Sequence, residues 1–161
     1  MLLLSGYYNS SAGKLIWKKD DNELEVERWF KHFAIASPAL ELIEEFTLHE
    51  HIRFQKAFKP FIENMDEKNI SELIGLGNAK HKAIKHYSSG MRQRVKLALA
   101  MLSDVPVLML DEPTTNLDEE GVRWYRMMVE KYSSKKLLLI ASNLQREYEF
   151  CSHQISINDW K

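Results

Sequence analysis

The chain has 161 residues, 45% of them hydrophobic and 28% charged, the profile of one folded domain long enough to bury a core of its own. Its 22 basic and 23 acidic residues leave a net charge of −1, which excludes a strong global field drawing it to nucleic acid or an anionic membrane surface. A single cysteine, Cys151, excludes an internal disulfide and points to a reducing, cytosolic setting.

The opening Met1-Leu2-Leu3-Leu4-Ser5-Gly6 is too short an apolar run for a secretory signal. Asn9–Gly13 reads as a turn, and Lys14–Lys18 follows as a strand in which Leu15 and Trp17 alternate with other residues, so the first 36 residues are expected to be β-rich. Phe33-Ala34-Ile35-Ala36 is an apolar run of buried-strand type, stopped by Ser37-Pro38. At Thr47 the pattern becomes helical. Thr47 and Glu50 fit a capping box, and helical character runs to about Met101, broken at Pro60 and at Gly75–Asn78. Strand and helix then alternate: Val107–Leu110 a strand, Glu119–Tyr132 a helix, Leu137–Ala141 a strand, Arg146–Phe150 a short helix, Gln154–Ile157 a final strand. No apolar stretch approaches the roughly 20 residues of a membrane helix. The closest histidines, His49 and His51, have no cysteine or carboxylate arrangement suggesting a metal site.

Continuous apolar strands separated by helices are what a buried parallel sheet produces. The expected architecture is an α/β core, 1–46 and 102–161, carrying an inserted helical subdomain over roughly 47–101. A parallel sheet that lacks a central strand and its covering helix bares apolar surface, here expected at residues such as Val107, Met109, Leu138 and Ile140.

The chemistry concentrates where the strand Val107–Leu110 ends in Asp111-Glu112-Pro113. Two adjacent carboxylates at the carboxyl edge of a parallel sheet stand where such folds bind ligands. One suits Mg²⁺ in its water shell and the other suits an attacking water, although the pair alone fits a solvated turn equally well. Upstream, Tyr87-Ser88-Ser89-Gly90-Met91 opens a helix whose apolar stripe is Met91, Val95, Ala98, Leu99 and Leu102. Serine and glycine at a helix start can cradle an anion with free amides and the positive dipole end, or can simply cap the helix.

In this order and spacing the blocks resemble the ABC ATPase family. Tyr87–Met91 looks like its signature motif, Leu108–Glu112 like its Walker B strand, Thr115–Asp118 like its D-loop and Ser142-Asn143 like its switch position. The resemblance covers the whole chain, with Ser5–Lys18 similar to the family's turn and strand after its first helix and Phe33–Ile52 similar to its Q-loop region. It implies a P-loop NTPase-like α/β fold and the cofactors ATP and Mg²⁺. By motif, Glu112 would act on the attacking water, Asp111 on Mg²⁺ through water, and Asn143 in place of a switch histidine. Ser88, Ser89, Gly90 and Met91 would face the γ-phosphate held by a second ABC ATPase domain, with Asp118 at that interface. A transmembrane transporter subunit is the further partner implied, and with it a cytoplasmic position on the inner face of the cell membrane.

The chain also departs from the family. Gly13-Lys14 does not make a P-loop, because GxxxxGK-S/T would need glycine at Tyr8 and serine or threonine at Leu15. The family's order puts the P-loop upstream of Ser5-Gly6, so the expectation is an N-terminally truncated, single partial ABC ATPase domain. No glutamine lies between Lys31 and Arg53, and Ser37-Pro38 stands about where the Q-loop glutamine belongs. Asn143 can hydrogen-bond but cannot carry a proton near neutral pH. Ser89 replaces a glycine and Met91 a glutamine of the signature. The leading reading is the ATP-hydrolysing subunit of an ABC transporter. The alternative is a catalytically silent module pairing with an intact ABC subunit. A third, an ABC protein acting on nucleic acid through Arg92, Arg94 and Lys96, ranks last because charges opposite an apolar stripe are usually its solvated side.

Lacking an amide nest and P-loop lysine for the β- and γ-phosphates, the 161-residue chain alone is expected to bind Mg·ATP weakly or not at all. Calorimetric titration checks this, and low-micromolar affinity would contradict it.

Overall fold

Strands that are apolar at every position need cover on both faces, and the computed structural model, which describes residues 1–160, supplies it fully for β4 (Val107–Asp111) up to Leu110 and in part for the edge strand that follows. Three parallel strands form the sheet in the order β3 (Phe33–Ala36), β4 (Val107–Asp111), β5 (Leu137–Ala141). Register is continuous across it: Phe33 stands beside Val107, which stands beside Leu137, and Leu110 stands beside Ile140. A period of two then sorts the side chains. Ala34, Ala36, Leu108, Leu110, Leu138 and Ile140 join the larger hydrophobic cluster, while Phe33, Ile35, Val107, Met109 and Leu139 join a smaller one on the opposite face.

Helices cover the first face. α1 (Leu48–Phe58) starts on the capping box expected of Thr47 and Glu50, with both reciprocal hydrogen bonds present. α2 (Glu67–Leu73) is capped by Asp66, α3 (Ser89–Leu102) by Ser88 and α4 (Glu119–Tyr132) by Asp118. Leu48, Ile52, Ile70, Val95, Leu99, Tyr125 and Met128 meet the sheet's residues in one core. The far end of α3 is closed by Lys136, whose Nζ donates to the carbonyls of Met101 and Ser103 at 2.6 and 2.7 Å. Burial lowers the pKa of that ammonium to about 8.

The other face corrects the expectation of bare apolar surface. Met109 is fully buried and Val107 nearly so, because the N-terminal segment folds over them with Trp29, Trp17, Leu15, Leu4 and Met1. Leu138 and Ile140 are half-buried against the helical side. The cover holds its shape through indole hydrogen bonds: Trp17 Nε1 donates to Leu4 O and Trp29 Nε1 to Leu24 O, both at 2.9 Å.

That segment is less β-rich than its pattern implied. Ahead of β3 the described residues form one ladder, the antiparallel pair β1 (Lys18–Lys19) and β2 (Asn22–Glu23), followed by a 3₁₀ helix at Val26–Lys31. Leu15 and Trp17 do alternate inward, but onto the core rather than along a strand. The expected strand at Gln154–Ile157 is absent among the described residues, which instead show a 3₁₀ turn at Ile157–Trp160. Ile155 and Ile157 are exposed there, with no neighbouring strand to satisfy their backbone. The short helix placed at Arg146–Phe150 is a 3₁₀ turn at Gln145–Glu147.

Trp29→Ala removes the more buried of the two tryptophans packed with Met109 and is expected to cost about 3–5 kcal/mol of stability, with new binding of dyes that report apolar surface. Chemical denaturation measures it, and a loss under about 1 kcal/mol would show that the N-terminal cover contributes little.

Candidate functional site

The three strands end together, and so do their polar residues. Ser37 follows β3, Asp111 and Glu112 close β4, and Asn143 lies two residues past the end of β5. Ser37 is buried and its hydroxyl donates to Asp111 Oδ2 at 2.9 Å. The residue standing where a Q-loop glutamine was expected thus orients the carboxylate of the neighbouring strand, a contact the sequence did not signal. Asp111 is half-buried and Glu112 exposed, so the two carboxylates occupy different environments. The division has a backbone cause. Glu112 N–H makes the last ladder bond, to Ala141 O at 2.9 Å, and the chain then turns at Glu112 with φ +44°. That left-handed conformation is uncommon and strained for a residue with a Cβ. It is held by Thr115, whose N–H donates to Glu112 O at 3.2 Å and whose hydroxyl stands 3.4 Å from Glu112 Oε2.

From Pro113 to Asp118 the loop is fixed by α3 and by the segment after β5. Gln93, buried in α3, donates from Nε2 to Pro113 O at 2.9 Å. Thr114 donates from both its amide and its hydroxyl to Glu147 Oε1. Asn116, at φ +65°, brings its carbonyl so close to Gly90 that a Cβ there would sit 2.9 Å from it. Asp118 caps α4 by accepting from Gly121 N–H at 2.8 Å, with Arg94 Nη2 at 3.8 Å.

Ser88 stands at the start of α3 as its cap. Ser88 caps α3 through the Met91 amide at 3.2 Å, and the Met91 side chain packs on the core, so Met91 has no free amide to offer. The first-turn amides of Ser89 and Gly90 have no acceptor within the helix. Ser89 borders a cleft of about 320 Å³, also lined by Pro38, Gln93, Lys96, Thr115 and Asn116. Asn143 is exposed at a bend, beside a turn in which Ser142 Oγ accepts from Leu144 N–H at 2.8 Å. The basic residues of α3 do not form a free face: Arg92 pairs with Glu44 at 3.1 Å, Arg94 with Glu120 at 3.3 Å, and burial lowers the Lys96 pKa. Lys14 sits on the exposed surface, 3.2 Å from Glu23.

No group of three histidine, cysteine or acidic side chains is placed to hold a metal among the described residues. The donor set at the sheet edge suits Mg²⁺ nonetheless, because that ion keeps its waters and takes one or two carboxylates together with substrate phosphates. A half-buried carboxylate fixed by a serine hydroxyl fits that pattern.

A family model described as ABC transporter matches residues 1–115. The chain belongs to the ABC transporter family. Among curated relatives it is 40% identical over 97 residues to an uncharacterised ABC transporter ATP-binding protein, YhcH, of Bacillus subtilis, a match covering 59% of this chain and 31% of the relative. It is 35% identical over 77 residues to the lantibiotic transport ATP-binding protein SrtF of Streptococcus pyogenes, covering 47% of this chain and 34% of SrtF. These matches span about a third of each curated relative's length. An ATP-binding subunit of an ABC transporter superposes with TM-score 0.74 at 20% identity, over 92% of this chain and 64% of that one. A bacterial Atm1-family ABC exporter with ATP bound gives 0.70 at 13%, over 91% and 27%. The P-loop NTPase-like α/β fold of ABC ATPase subunits is therefore the fold of this chain. Among the described residues no helix is long and apolar enough to cross a membrane.

Sequence reasoning missed Gln93, Thr114 and Glu147. A glutamine on a helix and a glutamate in a short polar turn carry no periodic or motif signal, and only the fold buries them.

Gly90→Ala gains helix propensity of about 1 kcal/mol, but the backbone oxygen at 2.9 Å leaves no room for the methyl. Overpacking against backbone costs about 1–3 kcal/mol, so thermal unfolding is expected to show net destabilisation. A stabilised variant would mean that α3 and the 113–118 loop do not touch.

Proposed function

We propose that this chain is part of the ATP-binding, ATP-hydrolysing subunit of an ABC transporter, with catalysis centred on Glu112. The observation that supports the reading is the difference in surroundings at the end of β4: Asp111 half-buried and held by Ser37, Glu112 exposed at a left-handed turn. Members of this family bind ATP with Mg²⁺, and their ATPase domains pair and work with transmembrane subunits. Bound Mg·ATP supplies the phosphoryl group to be transferred. Asp111 would hold the metal through its water shell, and Glu112 would orient and polarise the attacking water. Asn143 offers hydrogen bonds from the third strand. Ser88, Ser89 and Gly90 face the nucleotide of the paired domain with first-turn amides and the positive end of α3, Met91 contributing packing alone. Asp118, exposed at the cap of α4, lies on the face turned to that second domain. We infer a transmembrane partner and a place on the membrane's inner face from membership of this family.

The test uses a chain extended by a strand–GxxxxGK-S/T–helix segment ahead of Met1. Glu112→Gln keeps the side chain's size while removing its charge, and should lower steady-state ATP turnover about 10²–10⁴-fold. Nucleotide binding should persist and an ATP-bound dimer accumulate by mass measurement. Asp111→Asn should weaken the response to Mg²⁺, and Asn143→His should raise turnover. Equal, non-zero turnover in parent and Glu112→Gln would remove Glu112 from the mechanism. Zero turnover in both with normal dimerisation would favour the silent module.

A further inference from the structure

Glu147 is the most deeply buried carboxylate of the described residues, and no role in holding metal, water or nucleotide falls to it. Its relative exposure is 1%, and it lies in the turn that follows Asn143. Oε1 accepts from Thr114 twice, from the amide at 2.8 Å and from the hydroxyl, while Oε2 has no partner. Its carbonyl accepts from Tyr125 Oη of α4 at 2.9 Å, and its amide donates to Leu144 O at 2.9 Å. Beside it Arg126 of α4 pairs with Glu149. The turn after β5 is thereby seated on α4 with a carboxylate directed at the loop after β4.

Burying a carboxylate is costly unless its hydrogen bonds are made, so a buried glutamate on a solvent-lined turn needs a reason. Thr114 is two residues past Glu112, whose left-handed backbone is strained and persists only where its surroundings over-determine it. Gln93 holds the same loop from α3 at Pro113, and Glu147 holds it from the other side. We propose that Glu147 is a positioning residue that clamps Thr114, fixing the turn at Glu112 and tying it to the segment that carries Asn143. Displacing the turn after β5 then moves the Glu112 loop with it. The consequence for turnover rests on the reading of Glu112 given above; the clamp itself does not.

The test has two arms. In the 161-residue chain, Glu147→Ala should accelerate hydrogen exchange at the Thr114 and Thr115 amides about tenfold or more, leaving α1 and α2 unchanged. Glu147→Gln keeps an oxygen for Thr114 and should restore most of the protection. Thr114→Val, which keeps the amide but not the hydroxyl, should fall between. In the chain extended by a P-loop segment, Glu147→Ala should lower kcat about tenfold with KM nearly unchanged, and Glu147→Gln should recover it. Uniform acceleration across all helices, or unaltered exchange at Thr114, would overturn the clamp. A kcat that survives Glu147→Ala while Glu112→Gln abolishes turnover would overturn its role in positioning Glu112 for turnover. Insensitivity of turnover to Glu112→Gln would defeat the catalytic reading alone, leaving the exchange arm to decide the clamp.

Discussion

A parallel strand buried on both faces can present polar groups only at its ends, and β4 is such a strand. Val107 through Leu110 are buried, hydrogen-bonded to β3 on one side and β5 on the other. The carboxylates at 111 and 112 therefore stand where the ladder stops. The last ladder bond, Glu112 N–H to Ala141 O, is also what separates them. Asp111 keeps the strand's geometry and meets Ser37, while Glu112 leaves it through a left-handed turn. Two identical functional groups acquire different surroundings with no metal or ligand needed to distinguish them.

Such a turn does not hold itself. The loop from 113 to 118 is gripped at Pro113 by Gln93, at Thr114 by Glu147, at Asn116 by the absence of a side chain on Gly90, and at Asp118 by the first turn of α4. Two of these contacts come from α3, the helix that Ser88 caps. One loop thus joins the sheet edge to the start of α3, so a shift in either is felt by the other. Charge-assisted and buried hydrogen bonds carry most of this, each contributing about 1.5–3 kcal/mol where an ionised group is involved.

Much of the fold was legible because it rests on local signals. β3, β5 and α4 begin and end where apolar runs and caps placed them, and Thr47 with Glu50 marked α1 by reciprocal chemistry. The errors fall where local signal and tertiary demand part. Leu15 and Trp17 alternate like strand residues but serve a lid over Met109, which the sequence pattern left uncovered. Gln154–Ile157 had strand composition and no neighbour to pair with. In the site, Asp111, Glu112, Ser88, Gly90 and Asp118 were visible as motif positions. Ser37 was visible only as a departure, and its bond to Asp111 needed the register of β3 against β4. Glu147 was invisible because its partner is 33 residues away and its burial depends on α4.

We propose that the carboxyl edge of β3, β4 and β5 is the metal–nucleotide face. Paramagnetic broadening by Mn²⁺ with ATP, mapped residue by residue in a chain carrying a P-loop segment, tests it most directly. Broadening is expected to be strongest at Ser37, Asp111, Glu112 and Asn143 and weak at the β1–β2 hairpin and α2. Broadening centred on the carboxylates of α2, or spread evenly over the surface, would contradict it.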